Sequence, residues 1–211
     1  MAKIASVLKS NLVLLLILNQ AKMKKIILCI VAVFAFGYAN AQKTQFGVKA
    51  GVNFATLAGD SDGASSIVGF NVGGFAEIKI SEKFSIQPEL LYSTQGAEID
   101  SDGETVDFNL SYLNIPIMAK YYVAPKFSLE LGPQIGFLTS AKGEAMGVSV
   151  DIEDFFKSTD FGLNFGAGYD FTDKFSASVR YNLGLSNIAE DSGDESVQNS
   201  VFSISLGYKF N

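Results

Sequence analysis

The stretch TDFGLNFGAGYDFTDKFSASVRYNLGLS, residues 159–186, decides the fold. Phe161, Leu163, Phe165, Ala167, Tyr169 and Phe171 fill every second place, with Gly162, Asn164, Gly166, Gly168 and Asp170 between them. After a short break, Phe175, Ala177, Val179, Tyr181, Leu183 and Leu185 alternate in the same way with Ser176, Ser178, Arg180, Asn182 and Gly184. A period of two over ten or more residues is the signature of a β-strand, because successive side chains point to opposite faces. The break is short, so the two runs form a hairpin.

The same alternation extends outward from this hairpin and gives eight strands. They run through Phe46–Phe54, Val68–Ile80, Phe84–Tyr92, Leu113–Tyr121, Phe127–Phe137, the two quoted runs, and Phe202–Phe210. The connections alternate in length. Those at 81–83, 123–126 and 172–174 are tight, and those at about 57–66, 96–106, 140–158 and 187–199 are long. Each tight turn carries the tripeptide KFS (83–85, 126–128, 174–176), whose phenylalanine opens the next strand.

A soluble sandwich would also alternate. Four features favour a membrane. Strands of about 10–13 residues exceed the usual five or six of globular sheets but suit a tilted bilayer crossing. The face opposite the bulky apolar residues is rich in Gly, Ser, Asn, Gln and charges. Of the 22 acidic residues, 15 fall in the long connections or within a residue of their edges. Phe84, Phe127, Phe175, Tyr121, Tyr169, Phe171, Tyr208 and Phe210 all gather at the short-turn end, as in an interfacial girdle. In hydrocarbon a sheet can satisfy its backbone only by closing on itself. The reading is therefore all-β: an eight-stranded antiparallel up-and-down transmembrane β-barrel, with short periplasmic turns and long extracellular loops.

Three prolines, Pro88, Pro116 and Pro133, lie inside strands three to five, where each removes a ladder donor. Strand four also changes its apolar parity between Tyr112 and Leu113, which predicts a bulge near that point.

Residues 23–41 read as a secretory signal peptide: Lys24 and Lys25, the apolar run Ile26–Phe36, and the small-x-small site Ala39-Asn40-Ala41. Residues 1–22 read as an over-extended N-terminus with Met23 as initiator, or as the front of one long leader. The barrel then occupies 42–211 as one domain. The single cysteine, Cys29, lies in the leader behind Leu28 rather than a small residue, so neither a lipid anchor nor a disulfide is expected. All 22 acidic residues but only 11 of the 16 basic ones follow Ala41, so that part carries −11. An acidic exported chain is a poor partner for nucleic acid.

The inward parity holds Lys49, Glu77, Lys79, Gln87, Glu89, Lys120, Glu130, Gln134, Arg180 and Lys209. An eight-stranded barrel is just wide enough for side chains to fill, and buried charges must pair. Lys49, Glu77, Lys79, Glu89, Lys120, Glu130 and Arg180 thus define an expected lumen polar network, either a structural plug or an ion path. The inward glycines Gly132, Gly136, Gly162, Gly166 and Gly168 leave room for the long side chains.

No catalytic or cofactor site is expected. The chain has no histidine, which removes the usual general base and the commonest zinc sites. Glu77 and Glu89 could form a carboxylate pair, but lumen carboxylates serve more often in a plug. Asp60 and Asp62, and again Asp100 and Asp102, sit in Asp-Ser-Asp-Gly and are weak Ca²⁺ candidates, since the third ligand and closing Glu of an EF-hand are missing. Plain solvated loop tips use the same residues.

The segments IQPELLYSTQGAEI (86–99), SYLNIPIMAKYYV (111–123), LELGPQIGFLTSA (129–141), DFGLNFGAGYDF (160–171) and RYNLGLSNI (180–188), in this order, resemble the PorT-type outer-membrane β-barrel family of Bacteroidetes-like bacteria. The resemblance implies an eight-stranded porin-family barrel of the outer membrane, and makes the three prolines expected. The namesake of that family serves a protein-secretion machine. One departure is the ending, where Asn211 follows the terminal aromatic Phe210. Three roles follow as expectations: a structural or adhesive barrel that displays acidic loops, a narrow pore for ions or small solutes, and an accessory barrel of an export machine. The expected partners are outer-membrane lipid and a surface or secretion-machinery protein, with the chain itself a monomer. Phe155 and Phe156 in the third long connection either pack on the barrel rim or meet a partner.

Overall fold

A computed structural model of the chain describes residues 44–59, 64–101, 104–190 and 196–210. The expected over-extended N-terminus 1–22, the expected signal peptide 23–41 and the loop aspartates Asp60, Asp62 and Asp102 lie outside the described residues.

Among the described residues there are eight long strands: β1 (Thr44–Gly59), β2 (Ile67–Lys79), β3 (Phe84–Ser101), β4 (Glu104–Ala124), β5 (Phe127–Ala145), β6 (Thr159–Asp170), β7 (Phe175–Gly184) and β8 (Val197–Lys209). Each pairs antiparallel with its neighbours in the chain. The ring closes where β1 meets β8, from Gly47 opposite Lys209 to Gly59 opposite Val197. Closure leaves the eight long strands with no free edge across the bilayer, which is the condition hydrocarbon imposes on a sheet.

The burial pattern is inside-out. On the outer face Phe161 is 51 %, Phe165 46 %, Val179 43 % and Leu206 66 % exposed, while inside Glu89 is 3 % and Arg180 6 % exposed. A soluble sandwich would invert these values. The outer aromatics at the short-turn end touch one another, with ring centroids 5.3 Å apart for Tyr169–Phe171 and 5.0 Å for Phe175–Tyr208.

The long connections differ from expectation. Residues 96–106 are almost entirely strand: β3 has 18 residues, β4 has 21, and only 102–103 lie between them. A tilted crossing uses about 9–11 residues, so this hairpin stands well above the membrane. The same holds for 140–158. There β5 runs to Ala145, turns through Met146 and Gly147, and returns as a short strand Val148–Asp151 paired with Ala145–Lys142. Another short strand, Ala64–Ser65, adds to β3 at Ile99 and Glu98. The sequence segments kept their alternation past the bilayer edge because backbone pairing, once begun, continues as long as both partners do.

The parity change at Tyr112 has a different cause from the one expected. Leu110, Tyr112, Asn114, Pro116, Met118 and Lys120 are all buried at even positions, so β4 itself does not switch faces. The register slip does occur there, between Ser111/Ser140 and Tyr112/Leu138, but the extra residue is Thr139 on β5. What changes is the solvent. Above this level the outside is water and the inside is apolar, so the apolar residues move inward. The prolines mark ladder gaps: pairing of β2–β3 skips at Pro88, β3–β4 at Pro116 and β4–β5 at Pro133.

Candidate functional site

Among the described residues, buried ionisable side chains converge in the lumen. Four cations and four carboxylates meet there in two tiers. In the lower tier, toward the short turns, Lys209 lies 2.9 Å from Glu77 and 3.3 Å from Asp170. The Tyr122 hydroxyl donates to Glu77 at 2.6 Å. In the upper tier Arg180 makes a bidentate pair with Glu89 at 2.7 and 2.8 Å, while its Nε donates to Glu130 at 2.6 Å. Lys120 joins the tiers, 3.6 Å from both Glu77 and Glu130. Lys49 lies 3.6 Å from Glu89. Gln87 accepts from Lys120 and donates to Glu89, closing the circuit. Alternation places all of these residues: each lies at an inward position of its strand, and the ring brings eight strands within reach of one centre.

The inward glycines supply the space. A Cβ on Gly168 would stand 2.7 Å from Glu130 Oε1, one on Gly166 2.9 Å from the Arg180 side chain, and ones on Gly136 and Gly162 would meet Asn114 and Asn182 at 2.6 and 2.7 Å.

Above the ions lies a layer of amides. Asn71 donates to Asn53 at 2.7 Å, Asn182 to Asn164 at 3.2 Å, and Asn164 to Gln134 at 3.1 Å, around a cavity of about 40 Å³ that Lys49 and Arg180 floor. That volume suits a water or two and no larger solute. Higher still, Asp160 accepts from Asn199 and Ser186, each at 2.8 Å. The long-loop end is closed by an apolar cap of Leu57, Ala97, Leu110, Tyr112, Ala141 and Ile188, with Ile152 and Phe156 packed against it. Phe155 and Phe156 thus part company: Phe156 joins the cap and Phe155 is 68 % exposed.

Of the residues expected in the lumen, Lys49, Glu77, Glu89, Lys120, Glu130 and Arg180 meet in this network. Lys79 lies outside it. It is exposed at the short-turn mouth, where it lines an open pocket of about 430 Å³ with Ser85, Lys126 and Asp173. Its inward parity is correct, but the barrel axis is open to water at that depth. Glu77 and Glu89 do not form a pair of their own, since each is held by separate cations. Asp170 and Tyr122 were not anticipated. Both sit at inward positions, but among girdle residues, and only their parity marked them. The backbone of Asp100 is part of β3. Among the described residues no group of three or more ligand-type side chains gathers as a metal site would.

A closed ring of eight antiparallel strands, apolar outside and filled with paired charge inside, defines a transmembrane β-barrel of the outer membrane. The chain belongs to the outer membrane protein beta-barrel domain family, whose profile matches residues 40–190. Neisserial surface protein A is a similar solved structure, 17 % identical over 78 % of this chain and 97 % of that one, with a TM-score of 0.54; at that identity the likeness is one of fold. Ail, the attachment invasion locus protein of Yersinia pestis, is 17 % identical over 80 % and 99 % of the two chains, with a TM-score of 0.47. OprG of Pseudomonas aeruginosa is 12 % identical over 80 % and 94 %, with a TM-score of 0.37. No curated protein matches the chain by sequence.

Proposed function

We propose that this barrel is a closed, non-enzymatic surface protein whose long-loop end faces outward and displays an acidic surface, in the PorT-type branch that its motifs resemble. The observation that carries this reading is the double closure of the lumen. A paired tier of four cations and four carboxylates fills its middle, and an apolar cap covers its long-loop end. An ion entering the lumen would have to break pairs in a low-dielectric interior and then cross an apolar layer, and both cost several kcal/mol. Catalysis has no part in it: the chain has no histidine, Glu77, Glu89, Glu130 and Asp170 are already engaged by cations, and Asp160 is held by Asn199 and Ser186. Planar-bilayer recording tests the closure. Purified protein is expected to give no steady unitary openings, and reproducible openings of one size would replace this reading with the narrow pore.

A second reading, the accessory barrel of an export machine, is favoured by the open pocket at the short-turn end, which offers Lys79, Lys126, Glu82 and Asp173 to a periplasmic partner. Affinity purification from native membranes after mild cross-linking tests it. Stoichiometric recovery of an export-machine subunit supports it, and recovery of the barrel alone counts against it.

A further inference from the structure

Among the described residues two short strands at the long-loop end pair on one side only, Ala64–Ser65 and the longer Val148–Asp151. The strand Val148–Asp151 pairs with β5. It is held in place by a two-residue turn in which both Met146 (φ 52°) and Gly147 (φ 76°) take the left-handed conformation that such tight hairpins need. At its far end the Ile152 N–H donates to the Ala141 carbonyl of β5 at 3.0 Å. Antiparallel bonding alternates, so Val148 and Val150 also turn their backbone groups toward β5. Ser149 and Asp151 therefore point theirs away, into solvent.

All four residues of this strand are exposed, Val148 at 63 % and Val150 at 57 %. An open edge of this kind, though short, is a template for another strand. Its two faces differ. Val148 and Val150 share the parity of Ile152, which packs on the cap. Ser149 and Asp151 share the opposite face with Glu144, opposite Ser149 on β5, and with Lys142, opposite Asp151, whose carboxylate also accepts from the Glu153 N–H.

Charge says which strand fits. The four long-loop stretches, with one residue at either edge, hold fifteen acidic residues and two basic ones, Lys142 and Lys157, a net of −13; the remaining seven acids face nine bases across the rest of the chain after Ala41. A second copy of this surface would repel the first, and so would an anionic lipid headgroup. We infer that the edge Val148–Asp151 captures an extended segment of a cationic protein, as an added antiparallel strand with apolar and basic residues in alternation. The apolar residues would lie beside Val148 and Val150, and the basic ones beside Ser149 and Asp151. This rests on the outward orientation proposed above.

The test uses the barrel, without its leader, in lipid nanodiscs. The probe is a dye-labelled octapeptide of alternating lysine and valine, followed by fluorescence anisotropy. Saturable binding is expected, at least tenfold weaker when alternate peptide nitrogens are methylated and absent for a glutamate–valine peptide. Ser149→Pro removes only an N–H that faces solvent, so it leaves the pairing with β5 intact and is expected to weaken binding at least tenfold. The heat-modifiable gel shift checks that the variant is folded.

Equal binding by Ser149→Pro and by the methylated peptide would reduce the interaction to bulk charge and overturn the inference. So would the absence of saturable binding, or a concentration-dependent dimer that Ser149→Pro abolishes. Nanodiscs expose both ends of the barrel, so this assay does not depend on orientation. Orientation is tested separately, by labelling Ser149→Cys with an impermeant maleimide in intact cells. Failure there would sink the surface reading alone.

Discussion

Arg180 on β7 and Glu89 on β3 form a bidentate pair across the full width of the lumen, with N–O distances of 2.7 and 2.8 Å. Their strands stand four places apart in a ring of eight, and the residues are 91 positions apart in sequence. The contact therefore fixes the barrel's diameter as well as neutralising charge. Arg180 holds Glu130 with its third donor at 2.6 Å.

Arg180→Met should accordingly destabilise the barrel by about 3–5 kcal/mol, because two carboxylates stay buried with their main partner gone. Adding Glu130→Gln should restore part of that loss, since it leaves three cations to three carboxylates, keeps Glu89 as the partner of Lys49 and leaves Lys120 with Glu77. Urea unfolding in lipid vesicles, followed by circular dichroism, measures both. A single variant as stable as the parent would mean that water reaches the tier and that the lumen is not closed.

The outer face obeys the opposite rule. Val179 is paired with Ala167 and Ile204 and sits one turn of alternation above the aromatic girdle. Val179→Arg should cost about 2–4 kcal/mol, the price of a cation near the bilayer midplane, whereas Val179→Leu should change stability little. The same unfolding experiment reads both. Equal tolerance of arginine and leucine would place Val179 away from lipid.

Much of this architecture was legible from the alternation alone. Phe161, Phe165 and Val179 against Asn164, Arg180 and Asn182 gave both strands and faces, and the tight turns came within two residues of where Ile80–Lys83, Pro125–Lys126 and Phe171–Lys174 now lie. Parity also nominated six of the eight ions of the lumen tier as charged members of the expected set, and Lys209 as a further inward cation. Parity gives direction but no depth, and this is why Lys79 was placed with the network although it opens to water, and why Asp170 and Tyr122 were overlooked beside the girdle. It also marks no bilayer edge. The hairpin of β3 and β4 stays paired beyond the membrane, so the segment around 96–106 read as loop when it is strand. The apolar inward residues Leu110 and Tyr112 looked like a bulge in β4 because a cap cannot be told from a face change in one strand.

Space beside the ions is as tightly allotted as the charges. A Cβ on Gly168 would lie 2.7 Å from Glu130 Oε1 and 2.9 Å from Ser128 Oγ. Gly168→Val should push Glu130 from Lys120 and cost about 1–3 kcal/mol in overpacking. Gly74→Ala is the control, since the nearest atom to its Cβ, the Gly47 carbonyl oxygen, lies 3.7 Å away, and its effect should stay within about 0.5 kcal/mol. Parallel urea titrations compare the two. A Gly168→Val barrel as stable as Gly74→Ala would show that Glu130 can move without loss, and that the tier is looser than its distances imply.

Phe155 and Phe156 are adjacent and chemically identical, yet the cap should distinguish them. Phe156 packs on the buried cluster and bridges Ala189 by its backbone. The Lys157 N–H donates to Ile188 at 2.7 Å and the Glu190 N–H to Phe155 at 2.9 Å, so segment 152–157 is tied to 188–190. Phe155 projects into solvent. Phe156→Ala removes apolar contact from a half-buried site and should ease local opening by about 1–2 kcal/mol, a factor of about 5–30 in the population of the open loop. Phe155→Ala should leave that equilibrium within about 0.5 kcal/mol. Trypsin reads the difference directly, because Lys142 and Lys157 are the only basic residues in the four long connections. Cleavage at Lys157 in nanodisc-embedded protein should accelerate by the same factor of about 5–30 in Phe156→Ala and stay at the parental rate in Phe155→Ala. Equal rates for the two variants would mean that the aromatic contact does not hold the loop down, and that the seal over the lumen rests on the backbone bonds alone.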